Sequence, residues 1–256
     1  MIHKEIQYLL AAVQFFTRIP VPTSTAHDAQ SLNHALKYFP LVGWLVGAAC
    51  ALAFQLANAW WPLTVAVVIS TVVGVLLTGA LHEDGFADSC DGFGGGSDKP
   101  RILEIMQDPR IGNFAAIGLV LILLLKITVL LGLAEQGEKQ LIIALLFAHA
   151  ASRLLVLPLP CWLDYARADG DSKSRGMVGE RFSNGMLGYA ALFVLLPLLL
   201  LQLAPLWYAL LSGALVTLVA GLYFKRRLGG YSGDCLGATQ QVTELVIYLS
   251  LLATWT

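Results

Sequence analysis

PLTVAVVISTVVGVLLTGAL, residues Pro62 to Leu81, is a run of 20 residues without a charged side chain. A helix of about 20 such residues crosses the hydrocarbon core of a bilayer, which is roughly 30 Å thick. Similar runs recur along the 256-residue chain, which is 57% hydrophobic and only 13% charged, with a mean hydropathy of +0.71. A water-soluble domain needs more charge to cover its surface. The sequence therefore predicts an all-α, polytopic membrane protein.

Seven apolar windows are candidate membrane spans. They cover Phe39 to Ala57, Pro62 to Leu81, Asn113 to Leu133, Gln140 to Leu157, Met186 to Leu203, Leu206 to Phe224 and Gln241 to Thr256. The last window is the weakest, because it is short and carries Glu244. Ahead of the spans, EIQYLLAAVQFFTRIPVP (Glu5 to Pro22) predicts an amphipathic or partly inserted helix that ends at proline.

Basic residues fall on alternate connections between these spans. One set of connections holds Lys4, Arg18, Lys37, Lys99, Arg101, Arg110, Arg167, Lys173, Arg175, Arg181, Lys225, Arg226 and Arg227. The other set holds only Lys139, so we expect the first set in the cytoplasm. The glycine-rich and charged segments then share the cytoplasmic face, which is more typical of an interfacial enzyme than of a channel.

Net charge and cysteine spacing argue against a nucleic-acid-binding protein and against a cysteine metal or redox site. The formal net charge is -1, so the composition gives no reason to expect nucleic acid as a partner. The cysteines lack the CxxC spacing of metal or redox sites, and we expect free thiols. They are Cys50, Cys90, Cys161 and Cys235.

The second span runs into HEDGFADSCDGFGGG, His82 to Gly96. If its helix continues through this stretch, Asp84, Asp88 and Asp91 project at about 0°, 40° and -20° around the axis, with Glu83 at the edge of their stripe. Like charges at this spacing repel, and a divalent cation would offset them. Carboxylates without a nearby histidine or thiolate set favour Mg2+ or Mn2+ over zinc. The stretch therefore predicts a metal site.

Gly85 and Gly92 each follow one of these acids, and we expect them to leave room for a bulky anion beside the metal. A solvated acidic helix end is the alternative, but such an end would not need glycines that cost about 1 kcal/mol each within a helix. The spacing does not fit an EF-hand or a P-loop. It is also wider than that of a prenyl-transfer DDxxD motif.

Phosphate on such a metal needs cationic partners. Arg110 follows Asp108 in DPRIGNFA, and Arg153 lies within the fourth span, where a charge is costly unless it faces a polar cavity or the interface. We predict that both arginines contact phosphate, with a surface pair to Asp108 as the alternative for Arg110. Asp234 lies in GGYSGDCLGA, which resembles a loop that closes on a ligand.

Other polar features have simpler interpretations. We expect Lys126 to extend toward the outer face of the membrane and His149 to be a packed or hydrogen-bonded histidine. The stretch Asp164 to Gly185 mixes glycine, serine and both charges, which predicts a mobile loop that covers a substrate.

Six segments, taken in order along nearly the whole chain, resemble the cobalamin synthases, or adenosylcobinamide-GDP ribazoletransferases, of the bacterial inner membrane. They are FFTRIPVP, YFPLVGWLVG, HEDGFADSCDGFGGG, DPRIGNFA, Ser152-Arg153 and GGYSGDCLGA. The resemblance implies a single membrane-embedded transferase domain over residues 1–256. It also implies the reaction: adenosylcobinamide-GDP is joined to α-ribazole or its 5'-phosphate, with Mg2+ required and GMP released.

The roles inferred from the residues fit this reaction, with the active site on the cytoplasmic face. Asp84, Asp88, Asp91 and Glu83 would hold Mg2+. The substrate would contact Arg110, Arg153, Gly85, Gly92 and Asp234. The catalytic residues would be Asp88, Asp234 and Arg153, one of the two acids accepting the hydroxyl proton.

Two alternatives stay open at this point. The motif partly resembles that of the CDP-alcohol phosphotransferases, but their pattern requires Ala-Arg after the first Asp-Gly, and here Ala87 is followed by Asp88. A cation-coupled transporter would need acids near mid-membrane and paired halves, and no internal repeat is visible. The sequence also leaves the oligomeric state open, a homo-oligomer included.

Overall fold

The computed structural model describes residues 2–21, 29–166, 182–201 and 203–255. The helices in these ranges are α1 Ile2–Phe16, α2 Ala29–Ala35, α3 Phe39–Asn58, α4 Leu63–Thr78, α5 Leu81–Gly95, α6 Lys99–Ile105, α7 Asn113–Gln136, α8 Glu138–Val156, α9 Pro158–Trp162, α10 Asn184–Leu201, α11 Ala204–Leu228 and α12 Gly233–Thr254. A short 3-10 helix, Leu36–Tyr38, joins α2 to α3. No strand occurs in the described ranges, where Tyr165 and Tyr231 form an isolated parallel bridge, so the all-α prediction is confirmed.

Six helices in the described ranges are long and apolar enough to cross a membrane. The bent pair α4 and α5 makes a seventh if it is counted as one span, in agreement with the predicted number. The N-terminal helix is present as α1. The last predicted span was drawn too short, because α12 begins at Gly233 and has 22 residues.

The outer surface of the bundle is apolar, as a surface facing lipid requires. Leu121 and Leu124 of α7 and Leu211 and Leu215 of α11 are each more than half exposed. Trp60 and Trp61 are exposed just beyond α3, and aromatic residues are common at the membrane–water interface. The molecule is therefore a multi-pass membrane protein.

Close helix contacts build the centre of the bundle, where α8 and α12 lie. A Cβ atom on Gly43 of α3 would overlap the His149 carbonyl oxygen, and one on Gly47 would overlap that of Leu145. Small residues four apart allow two membrane helices to approach this closely. Consequently α3 packs tightly on α8, whose polar residues His149, Ser152 and Arg153 are buried.

The predicted continuation of the second span through the acidic motif is wrong. The axes of α4 and α5 meet at 87°, because Gly79 (φ 64) and Ala80 (φ 57) adopt left-handed backbone conformations. The Gly79 N–H donates to the Leu76 carbonyl and the Ala80 N–H to the Val75 carbonyl, a glycine-based helix end. The acids therefore lie on a helix of their own, which packs against α12 and α7.

Candidate functional site

A large cavity of about 850 Å3 lies between the end of α1, the start of α5, the end of α8 and the start of α12. Its volume falls in the range of small-molecule sites, about 300 to 1,000 Å3. Much of its wall is apolar and includes Phe15, Phe16 and Phe39. Ionisable side chains also line it: Arg18, His82, Asp84 and Asp234.

Asp84 and Asp234 reach this cavity from two facing helices. A Cβ atom on Gly85 would come within 3.1 Å of the Asp234 backbone, and one on Gly237 would come within 3.3 Å of the Gly85 Cα atom. The absence of side chains at both glycines lets α5 and α12 cross at close range. The crossing therefore brings together two acids that are 150 residues apart in the sequence.

Asp234 belongs to a helix and not to the loop that its glycine-rich surroundings predicted. Ser232 is the N-cap of α12, and its hydroxyl oxygen accepts a hydrogen bond from the Cys235 N–H at 3.3 Å. Asp234 thus lies in the first helical turn, where the helix dipole stabilises a negative charge.

Asp91 has a different environment from Asp84. Its two carboxylate oxygens accept hydrogen bonds from the backbone N–H groups of Gly112, at 2.6 Å, and Ala115, at 2.9 Å. Asp91 therefore caps the N-terminus of α7 from a neighbouring helix. Asp88 lies one turn beyond Asp84 on α5 and is partly buried.

Glu83 points away from the cavity, into the bundle. It is buried, and one of its carboxylate oxygens accepts a hydrogen bond from the Gln241 amide at 3.1 Å. Gln241 donates in turn to Gln240, which donates to Glu244 at 2.7 Å. This chain of amides connects the acidic motif to a buried group of charges.

That group, the buried charge cluster, consists of Lys126, His149, Arg153 and Glu244. The Glu244 carboxylate lies 2.6 Å from Lys126 Nζ, 3.0 Å from His149 Nδ1 and 3.7 Å from Arg153 Nη1. All four side chains are buried. The prediction that Lys126 extends to the outer face is therefore wrong, because Glu244 supplies a counter-charge inside the bundle. The expectation of a hydrogen-bonded His149 is confirmed.

Comparison with known proteins gives the family. The model of the cobalamin-5-phosphate synthase family matches residues 8–252. The chain belongs to this family. It is similar to an adenosylcobinamide-GDP ribazoletransferase of Ralstonia nicotianae, with 46% identity over 249 residues, covering 97% of this chain and 95% of the relative. Enzymes with that name from Shewanella sp. (strain W3-18-1) and Shewanella putrefaciens are 43% identical over 250 residues, 98% of this chain and 95% of each relative.

No solved structure matches the chain. Membership of the cobalamin-5-phosphate synthase family makes this chain a transferase and confirms the resemblance drawn from its motifs. It also favours this family over the CDP-alcohol phosphotransferase alternative. The four cysteines are free thiols, as expected.

Neither arginine that was predicted to contact phosphate lines the large cavity. Arg110 is exposed and forms an ion pair with Asp108 at 2.6 Å. The hydrogen bonds from Arg110 lower the pKa of the Asp108 carboxyl to about 2. Arg153 is 1% exposed, within the buried charge cluster. The contacts of Arg110 and Arg153 with phosphate stay predictions. The arginine that lines the large cavity among the described residues is Arg18.

The glycines of the acidic motif serve helix packing. Gly85 lines the cavity as well as the crossing with α12. A Cβ atom on Gly92 would meet Met106 at 2.6 Å, so Gly92 lets α5 pack closely on the segment after α6. The predicted mobile loop lies mostly outside the described residues, which omit 167–181, and so do Arg167, Lys173, Arg175 and Arg181.

The cavity acids fit a magnesium ion. Among the described residues, no three His, Cys, Asp or Glu side chains form a ready-made metal site. Mg2+, however, is commonly held by one or two carboxylates and completes its shell with substrate phosphate and water. Asp84 and Asp234, two carboxylates that line one cavity, have the donor chemistry of such a set.

Sequence reasoning missed Arg18 and His82 as residues of the cavity wall. Arg18 was interpreted as a topology charge and lay in the FFTRIPVP segment of the family resemblance, but it was given no role at the site. The available signal was its position, since it follows two phenylalanines and precedes Pro20 at the end of an apolar helix. A proline there ends the helix close to the arginine, which can then turn toward another element.

Proposed function

We propose that this cobalamin-5-phosphate synthase family member joins adenosylcobinamide-GDP to α-ribazole or its 5'-phosphate, and that the large cavity is its active site. The products are adenosylcobalamin or its 5'-phosphate, together with GMP. The relatives with this activity in their names support the reaction. The observation that carries the choice of site is that Asp84 and Asp234, from facing helices, line one cavity.

The proposed chemistry is a displacement at phosphorus. The ribose hydroxyl oxygen of α-ribazole forms a bond to the corrinoid-side phosphorus, and the bond from that phosphorus to the GMP oxygen breaks. The hydroxyl proton passes to an acid, for which Asp88 and Asp234 are the candidates. We favour Asp234 because it lines the cavity.

Asp84 would hold Mg2+, with Asp88 as a further ligand, and Asp234 would accept the proton. When bound, the ion would neutralise the diphosphate and the charge that develops on the departing GMP. The apolar wall formed by Phe15, Phe16 and Phe39 suits the flat faces of a corrinoid or a benzimidazole base. It would also keep water from the diphosphate, so that transfer competes well with hydrolysis.

We further propose that the enzyme lies in the bacterial inner membrane with this site toward the cytoplasm. Basic residues near the cavity end of the bundle support that orientation, since cytoplasmic connections are enriched in Lys and Arg. Arg18 lies at the cavity itself, and Lys99 and Arg101 lie in α6, directly after α5.

A cation-coupled transporter is the rival function. The broken pair of α4 and α5 and the intramembrane Glu244 are features that it would need. Glu244, however, is paired with cationic side chains, and the space beside the cluster is only about 10 Å3. That volume admits about one water molecule, which leaves no room for a transported substrate.

The experiment is a transfer assay with the full chain in proteoliposomes. Adenosylcobinamide-GDP, α-ribazole and Mg2+ are supplied, and GMP and the new corrinoid are measured. We expect one GMP for each corrinoid joined to α-ribazole, and no joined corrinoid when α-ribazole is left out. Uptake of corrinoid into the vesicles without GMP would contradict the proposal and support the transporter.

A further inference from the structure

Arg18 is the only lysine or arginine among the described residues that line the large cavity. The cavity wall also carries two carboxylates, Asp84 and Asp234. A diphosphate beside two acids needs positive charge, and a metal ion alone leaves phosphate oxygens without partners. The other arginines with predicted phosphate contacts, Arg110 and Arg153, lie elsewhere.

The fold holds Arg18 against the break between α4 and α5. The Arg18 backbone N–H donates to the Leu77 carbonyl oxygen at 2.7 Å. Its side chain crosses Gly79, where an added Cβ atom would overlap Arg18 Nε. Gly79 also has a φ of 64°, so two constraints favour glycine there. The guanidinium therefore lies beside Gly79, five residues before Asp84 in the sequence.

The charge of Arg18 is not neutralised within the described part of the chain. There, no carboxylate lies within ion-pair distance of its guanidinium, whereas Arg101, Arg110 and Arg153 each have an acidic partner. A guanidinium offers five donors in a planar fork that matches phosphate oxygens. Among the described residues, Arg18 is therefore the cavity cation that can pair with an anion.

His82 gives an independent sign that the cavity accepts a polar ligand. It is 4% exposed, and neither ring nitrogen has a hydrogen-bond partner among the described residues. The ring lies against Phe39, with centroids 5.7 Å apart, and lines the same cavity as Arg18. Burying polar atoms without partners is costly, and a bound ligand would supply the missing hydrogen bonds.

We propose that Arg18 binds the diphosphate of the substrate, on the side of the cavity where His82 and Asp84 lie. This inference rests on the proposed function, which supplies a diphosphate-linked substrate. Arg18 then belongs to the substrate-binding machinery, and Gly79 positions its side chain.

The test compares Arg18→Gln and Arg18→Lys with a matched control, Arg101→Gln. Arg101 is exposed and pairs with Glu104 on α6. Two quantities are measured on the full chain: binding of adenosylcobinamide-GDP without added metal, by equilibrium dialysis and corrinoid absorbance, and kcat/KM for each substrate with Mg2+. Melting temperatures show whether each variant is folded.

For Arg18→Gln we expect weaker binding and a loss of about 10- to 100-fold in kcat/KM for adenosylcobinamide-GDP. This is the loss expected when one hydrogen bond to a charged group is removed. The KM for α-ribazole and the melting temperature should not change. Arg18→Lys should recover part of the binding, and Arg101→Gln should behave as wild type.

The outcomes separate this inference from the proposed function. Weaker metal-free binding in Arg18→Gln supports the inference, whereas wild-type protein that binds the substrate but releases no GMP contradicts the proposed function. Equal binding and equal kcat/KM in Arg18→Gln and wild type overturn the inference even when the wild type is active. A wild type that does not bind adenosylcobinamide-GDP overturns both.

Discussion

Gly85 of α5 lies against the backbone of Asp234 at the start of α12. A Cβ atom on Gly85 would be 3.1 Å from both the Cα atom and the carbonyl oxygen of Asp234. Because these atoms belong to the backbone of a buried helix, they cannot turn aside as a flexible side chain can. The spacing of the two acids on the cavity wall thus depends on the absence of a side chain at Gly85.

Gly85→Ala should destabilise the protein and reduce transfer. The added methyl group pushes α5 away from α12, and overpacking of this kind costs about 1 to 3 kcal/mol. Thermal unfolding in detergent and GMP release measure the two effects. Gly188→Ala is the matched control, because Gly188 lies in helix α10 with no atom within 4 Å of an added Cβ. Gly188→Ala should be neutral or slightly stabilising. Equal stability of the two variants would refute the close crossing.

Asp91→Ala should lower the melting temperature. It should leave the Mg2+ concentration needed for half-maximal rate nearly unchanged. The substitution leaves the N–H groups of Gly112 and Ala115 without their acceptor, and loss of a helix cap costs about 1 to 2 kcal/mol. The melting temperature and the Mg2+ concentration at half-maximal rate are measured together. An unchanged melting temperature with a large rise in that Mg2+ concentration would instead make Asp91 a metal ligand, as the helical projection predicts.

Breaking the Lys126–Glu244 pair should be costly, because each variant leaves a buried charge behind. Removal of one partner from a buried ion pair costs about 3 to 5 kcal/mol. Lys126→Met, Glu244→Gln and the double variant form a cycle, and we expect the double variant to lose less stability than the two single losses combined. Arg101→Gln, which breaks an exposed pair, should cost under about 1 kcal/mol. Additive effects in the cycle would contradict direct pairing.

The long helices could be predicted from the sequence because hydropathy and length depend on local composition. Asn113–Gln136 and Glu138–Val156 are present with bounds close to those predicted. The 87° bend between α4 and α5 was missed. Gly79 is typical of a helix end, but nothing in the sequence predicts the left-handed conformation of Ala80 that follows it. The direction of α5 after the bend depends on its packing against α12, which is distant in the sequence.

The site could be predicted only in part, for a similar reason. Asp84 was predicted from the stripe of carboxylates on its helix and Asp234 from its glycine-rich surroundings, and the structure brings both to one cavity. Lys126 and Glu244 are 118 residues apart, so no local sequence pattern pairs them. A single lysine within a span is ordinarily expected to extend toward the nearer membrane surface, as was predicted for Lys126. Arg18 was missed because a basic residue beside an apolar helix is already explained by the positive-inside rule, so no further sequence feature placed it at the site.

The central claim is that the cavity bordered by Asp84 and Asp234 is where transfer occurs. Its most direct test is GMP release from adenosylcobinamide-GDP and α-ribazole by wild-type protein and by Asp84→Asn, in proteoliposomes with saturating Mg2+. Asp84 is exposed on the cavity side of α5, so the asparagine variant should fold and melt as the wild type does. We predict a rate at least about 100-fold lower in the variant, since a metal ion contributes several kcal/mol to stabilising developing charge. A folded Asp84→Asn variant that releases GMP at the wild-type rate would contradict the claim.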